Sequence, residues 1–189
     1  MSTMDLIKDS RRKPGELVFD LKLSDEATAL LPDSPNAFAY LAVLCDQKLF
    51  HDAFLLLART LPKQYALIWA TQCVDQSLTT ALAPEDKQCA ELVRRWLKGP
   101  DEKIRRAAAE AAETAEYEGP WAWLAAAVGF SGGSLAPEGL PVVPPADHLT
   151  AVAVAASLMG LAMKDPETSA ELGKEMINRG LAMVAIPGS

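Results

Sequence analysis

Few side chains here are of types that do covalent or acid–base chemistry, and their spacing does not gather them. The two histidines, His51 and His148, lie far apart, and neither has an i, i+4 partner of metal-ligand type. Of the two carboxylate–imidazole neighbour pairs, Asp147-His148 is the one from which a general acid or base would be drawn. His51-Asp52 opens a helix turn and reads as a solvated face. The cysteines Cys45, Cys73 and Cys89 are an odd set with no C-x-x-C spacing. Each falls inside an apolar helical pattern, where a free thiol behaves as a small hydrophobe. Gly132-Gly133 is followed by Ser134 and prolines rather than by a Gly-Lys-Ser helix start, so no phosphate loop is present. H-E-x-x-H and G-x-S-x-G are absent too. The expectation is a protein that is not an enzyme, with no catalytic residue, no cofactor and no metal.

Charge narrows the partners. The formal net charge is −7 and the only basic cluster is Arg11-Arg12-Lys13, whereas a nucleic-acid surface needs a gathered basic footprint. The polar N-terminus lacks the apolar core of a signal peptide. The longest apolar run, Ala151 to Met163, is too short to span a bilayer and reads as a buried helix. A cytoplasmic protein with no membrane span and no nucleic-acid partner is expected, acting on another protein.

The elements that would position any site are helices. Half of the residues are hydrophobic, alanine is abundant and β-branched runs are scarce, which favours an all-α chain. The packing centre is FHDAFLLLARTLPKQYALIWA, residues 50–70. Phe50, Ala53, Phe54, Leu57, Ala58 and Leu61 share one helical face. Pro62 then starts a second helix at once, giving a hairpin with Tyr65, Ile68, Trp69 and Gln72 on one side.

Around that hairpin the chain divides into a tail and arm, 1–23, and one helical domain, 24–189. Residues 1–15 show no sustained apolar period. In Glu16 to Leu23, ELVFDLKL, the residues Leu17, Phe19, Leu21 and Leu23 alternate as in a strand. This predicts an extended arm, lying over the helices or pairing with a partner's sheet edge. Ser24 caps a short helix to Leu31, and Ser34 caps another, with Pro35 first and Phe38, Leu41, Ala42 and Cys45 buried. Pro84 to Lys98 follows, and Asp101 caps Glu102 to Glu118. That last helix has a shallow alanine stripe and an outer face of Glu110, Glu113 and Glu116, solvated or set against a basic partner.

Gly119-Pro120 starts PWAWLAAAVGF, where Trp121 and Trp123 cannot share a face, so one is buried and the other lies at the rim. The loop SGGSLAPEGLPVVPPAD, residues 131–147, is long for a compact domain. Its prolines favour polyproline geometry, and Leu135, Leu140, Val142 and Val143 predict packing on the bundle, or else docking of a partner. Two helices close the chain: a nearly apolar one from His148 to Lys164, and a second opened by Asp165-Pro166. Gly160, Gly173 and Gly180 read as places of close helix approach. The fold expected is an irregular bundle of about seven or eight helices, built from helical hairpins, with a long proline-rich loop and an extended N-terminal arm. AFAYLAVLCDQKLFHDAFLLLARTLP has the look of a tetratricopeptide unit, but its proline comes too soon and no second copy follows at a fixed period.

Three stretches together carry a resemblance: AFAYLAVL with DAFLLLARTLPKQYALIWATQCV, then GPWAWLAAAVGFSGGSLAPEGLPVVPPADHLTAVAVAA, then the closing helix pair. From about Pro35 onward the chain resembles an uncharacterised bacterial family, classed as a domain of unknown function. Members are small helical proteins often encoded beside type VI secretion genes. The resemblance implies an accessory factor, a co-chaperone or adaptor partner for effector loading, and it names no catalytic residue. An immunity protein that neutralises a secreted toxin is the alternative. Partner anchors expected on aromatic and apolar grounds are Leu17, Phe19, Leu21, Trp69, Trp121, Trp123, Leu140 and Val143.

Overall fold

The computed structural model describes residues 12–78, 82–165 and 167–185. Every regular element among them is helical: α1 (Pro14–Val18), α2 (Asp25–Leu30), α3 (Ala37–Asp46), α4 (Phe50–Thr60), α5 (Lys63–Ser77), α6 (Pro84–Lys98), α7 (Glu102–Thr114), α8 (Gly119–Gly129), α9 (Leu149–Ala162) and α10 (Ser169–Ala185). The fold is the expected all-helical bundle, with ten helices described rather than seven or eight, the short α1 and α2 adding to the number.

The α4–α5 junction at Leu61-Pro62 forms as its sequence dictates. Leu61 is extended and buried, and α5 starts directly after Pro62. Helix α4 buries Phe50 and then every residue from Asp52 to Ala58. In α5 the buried face is Ala66, Leu67, Trp69, Ala70, Cys73 and Val74; of the residues grouped on one side by sequence, Trp69 is buried, Ile68 is half-buried, and Tyr65 and Gln72 are exposed. Helix α9 is the centre, packed against α4, α5, α8 and α10. Alanine and valine cover it on most sides, which lets four neighbours approach. Helix α8 joins α9 to a second layer of α6 and α7. Trp121 is buried there with the Arg94 guanidinium 4.6 Å from its ring centre, while Trp123 is half-buried at the rim.

Close approach falls at Gly173 and Gly180, where an added methyl carbon would lie 2.7 Å from the Phe50 ring and 2.7 Å from Leu57 respectively. Gly160 is different: it is exposed and its nearest neighbour is Pro120 at 3.9 Å. Gly129 is a third close approach, onto Ala109 of α7.

The N-terminal arm is a correction. Residues 14–18 form helix α1, opened by Pro14, and 19–21 turn away, so the alternation of ELVFDLKL makes no strand. Leu17 and Val18 are buried against α4, Leu21 and Leu23 are half-buried, and Phe19 is 76 % exposed. A five-residue helix opened by Pro14 pairs backbone groups locally, whereas a strand here would find no neighbouring strand among the described residues for its N–H groups. Helix α3 also departs: Asn36 caps it by accepting from Ala39 N at 3.0 Å, and Ser34 instead donates to Leu30 O. Its buried face is Ala37, Tyr40, Leu41 and Leu44, leaving Phe38 and Ala42 exposed. Helix α7 stops at Thr114, and Glu116 and Tyr117 take left-handed backbone angles. Asp165 caps the turn before α10 by accepting from Glu167 N at 3.0 Å, so that helix begins at Ser169. The expected tail, 1–15, lies mostly outside the described residues.

Candidate functional site

Asp101 starts α7 with its carboxylate accepting from Lys103 N and Ile104 N at 2.9 and 3.0 Å. This sets Glu102, Arg105 and Arg106 on the side facing the loop 131–147. Arg105 is 4 % exposed. Its guanidinium donates to the carbonyl of Gly129 at the end of α8, and to that of Ser134 in the loop at 2.8 Å. Glu102 completes the set, its two oxygens accepting from Arg105 Nε and Nη2 at 2.6 and 2.7 Å. The hydrogen bond from Arg105, then the charges of Arg105 and Arg106, hold the Glu102 carboxyl below its ordinary range despite partial burial. Arg106 donates to Ala136 O at 2.9 Å. Two arginines thus grip three carbonyls, two of them in the loop.

The loop also closes on itself. Leu135 N donates to Val143 O at 2.8 Å, and Ser134 Oγ accepts from Ala136 N and Val143 N at 3.1 Å each. A turn at Pro137–Leu140 places Gly139 at φ 84°. Gly133, at φ 66°, lies against the Glu102–Arg105 pair so closely that a methyl carbon there would stand 2.6 Å from Glu102 Oε2. Pro145 is buried and seats the far end, where Thr150 donates to Phe130 O at 2.9 Å.

This corrects the expected packing. Leu135, Leu140, Val142 and Val143 face outward, at 47, 59, 75 and 51 % exposure. Polar contacts to the backbone hold the loop, and its large apolar groups stay in solvent. Beneath it, against α7, runs an open groove of about 710 Å³ lined by Lys103, Glu110, Glu113, Tyr117, Leu135 and Pro137. The Tyr117 and Trp123 rings meet nearby, centres 5.5 Å apart. Burial, then Glu113, pushes the Tyr117 phenol up from its usual range. Glu116 belongs to a separate hollow with Glu85 and Asp86.

The loop exit meets the N-terminal turn. Asp20 Oδ2 lies 3.5 Å from both Arg59 Nη2 and His148 Nδ1, and Asp147 pairs with Lys63 at 3.4 Å. His148 thus faces Asp20 rather than its neighbour Asp147. His51 is exposed, while Asp52 beside it is buried, its carboxylate accepting from Ser24 N and Ser24 Oγ at 2.8 and 2.9 Å. Burial pushes the Cys73 and Cys89 thiols up to about 12 and about 11, and raises Cys45. Among the described residues no three His, Cys, Asp or Glu side chains are grouped to hold a metal ion, and no helix is long and apolar enough to cross a membrane.

The anchors expected from sequence separate into two sets. Leu17, Trp69 and Trp121 are core, closed off from any partner in this conformation. Phe19, Leu140 and Val143 are exposed, and Leu21 and Trp123 are half-buried. Val142, the most exposed apolar residue of the loop, and the arginine grip beneath it were not singled out as a site by sequence. The one signal in the sequence was a pair of adjacent arginines, Arg105 and Arg106, in the first turns of a helix with an alanine-rich interior; their acceptors lie 24 to 30 positions away.

The class of molecule is a helical bundle that displays one clamped, apolar, proline-rich loop. The chain belongs to the family of unknown function DUF6931, whose sequence profile matches residues 40–184. No curated protein and no solved structure matches it.

Proposed function

We propose that this protein is a non-enzymatic protein-binding factor, working in the cytoplasm as a co-chaperone or adaptor partner in type VI effector loading, with the loop 131–147 as its docking face. The observation that carries the binding role is the loop's construction: its backbone is gripped by Arg105 and Arg106 while Leu140, Val142 and Val143 stand in solvent. An apolar group held outward on a fixed backbone gains by burial in a complex, at roughly 25 cal/mol per Å², with little left to order. The secretion role is supported by the resemblance of the quoted stretches to proteins encoded beside such genes. The test is affinity capture from the native host with the full chain and with Val142→Asp. Recovery of an effector or its adaptor, lost in the variant, is expected. Equal recovery by both chains would remove the loop from the contact.

A second reading, an immunity protein, has its own support: Glu110 and Glu113 are exposed, line the groove, and make no ion pair among the described residues. A basic toxin face would complement them. Under this reading, replacing Glu110, Glu113 and Glu116 by lysine abolishes neutralisation of the cognate toxin, and unchanged protection refutes it.

A further inference from the structure

The segment Leu140–Pro144, LPVVP, restricts its own backbone. Pro141 and Pro144 fix φ near −65°. Leu140 and Val143 each precede a proline and are steered to extended or polyproline angles. Four of the five residues are therefore biased toward one left-handed, three-residue-per-turn conformation before anything binds. In such a helix Pro141 and Pro144 share one edge, and Leu140 and Val143 share another. All five residues are exposed.

The hydrogen-bond inventory says which kind of partner fits. Pro141 and Pro144 have no N–H, Leu140 N donates to Pro137 O and Val143 N donates to Ser134 Oγ, which leaves Val142 N alone. A strand-adding partner needs alternate N–H groups along an edge, and this segment does not offer them. The carbonyls of Leu140, Pro141 and Val142 accept from no donor among the described residues. An exposed run of prolines and valines with open acceptors is the complement of a groove floored by aromatic rings whose indole or phenol groups donate. Glu138 and Asp147, both exposed, flank the segment at either end, and the chain as a whole is acidic.

We infer that Leu140–Pro144 is a preformed polyproline ligand, taken up by a partner protein through an aromatic-lined groove with a cationic rim. This rests on the loop being the docking face. The prolines act by restricting the backbone, so their loss acts on the partner's affinity even where the apolar surface is kept.

The experiment places a photo-crosslinking phenylalanine at position 142 of the full chain in the native host, with position 163, another exposed apolar site, as control. The crosslinked partner is purified, the contact peptide is sequenced, and Kd is measured for the wild type, for Pro141→Ala with Pro144→Ala, and for Val142→Asp. Amide exchange at Leu135 confirms that the loop stays closed in each variant. The expected result is a crosslink beside two or more aromatic residues, at least a tenfold rise in Kd for the double alanine variant, and loss of binding for Val142→Asp. A double alanine variant that binds like the wild type overturns the polyproline ligand, and with Val142→Asp still losing binding it leaves the loop as docking face. Unchanged binding in both variants, or no crosslink from position 142, overturns both.

Discussion

The indole Nε1–H of Trp69 in α5 donates to the backbone carbonyl of Met176 in α10 across 2.7 Å, and Gly180, one turn further on, lies flat against the same ring. The two facts belong together. A methyl carbon at position 180 would stand 2.8 Å from Trp69 Cε2, so the indole reaches the helix backbone only because that residue has no side chain. Gly180→Ala gains about 1 kcal/mol of helix propensity and loses roughly 1–3 kcal/mol to overpacking. Net destabilisation by chemical denaturation is expected. Trp69→Phe, which removes the donor and part of the ring, costs roughly 2–4 kcal/mol.

Arg105 predicts a loop phenotype separable from the fold. Arg105→Met removes the donors to Gly129, Ser134 and Glu102, at a cost of roughly 2–3 kcal/mol. Arg105→Lys recovers only part of this, since a single ammonium cannot span a carboxylate and two carbonyls. Hydrogen exchange at the Leu135 amide should quicken in both variants, while exchange in α9 follows global stability alone. Gly133→Ala should loosen the same contacts, through both its φ and its crowding of Glu102.

Acid should release the same contacts. The Glu102 carboxyl is held below its ordinary value, so the ionised form favours the folded loop; the contribution is complete above the unfolded value, about 4.3. It is lost as pH falls through the lower folded value. The Val142 and Val143 methyl resonances should move on titration from pH 6 to 3, and Glu102→Gln should show the released positions already at pH 6. Methyl shifts that track acidification equally in Glu102→Gln would remove the carboxylate from the mechanism.

Tyr40 gives the alkaline counterpart. It is buried, its hydroxyl donates to Ala27 O at 2.7 Å, and burial, then the nearby Asp52, pushes its pKa up to about 12. The neutral phenol favours the fold; that stability is complete below the unfolded value near 10 and is lost as pH rises toward about 12, roughly 2–3 kcal/mol. Ultraviolet titration should show Tyr40 ionising last and together with unfolding. Tyr40→Phe should flatten the alkaline loss of stability.

The thiols offer a quick check of packing. Cys73 and Cys89, buried with pKa raised to about 12 and about 11, should resist alkylation at pH 8 in the folded chain. All three cysteines should label in denaturant. Rapid native labelling of Cys89 would contradict the burial of α6 against its neighbours.

Signals confined to a few neighbouring residues were legible. Ser24 and Asp101 cap where they should, Pro84 and Pro120 open helices, and the apolar stripe of 50–61, widened by Leu55 and Leu56, marks α4 as a helix covered on more than one side. Some misses were local, such as the cap of α3 at Asn36 rather than Ser34, but the larger ones depended on partners distant in sequence. Asp52 reads as a solvated residue beside His51, and only Ser24, 28 positions away, makes it a buried acceptor. Arg105 sits in a charged run, and its acceptors at 129 and 134 become neighbours only when α8 folds back. The alternation of ELVFDLKL is a genuine period of two, overruled by Pro14 and by the lack of a neighbouring strand among the described residues. The loop's length and prolines were plain in the sequence; its outward-facing apolar groups were not, because hydrophobicity alone argues for burial.

The grip on the loop is a grip on peptide oxygens, and every amino acid carries the same one. Gly133, Ser134, Gly139 and the prolines are tied to the shape of the backbone, but Leu140, Val142 and Glu138 contribute nothing to what Arg105 and Arg106 hold. Their side chains are free to be exchanged without loosening the frame. One scaffold could thus be re-addressed to new partners by point substitution at the tip, as an antibody changes its specificity while its framework stands still.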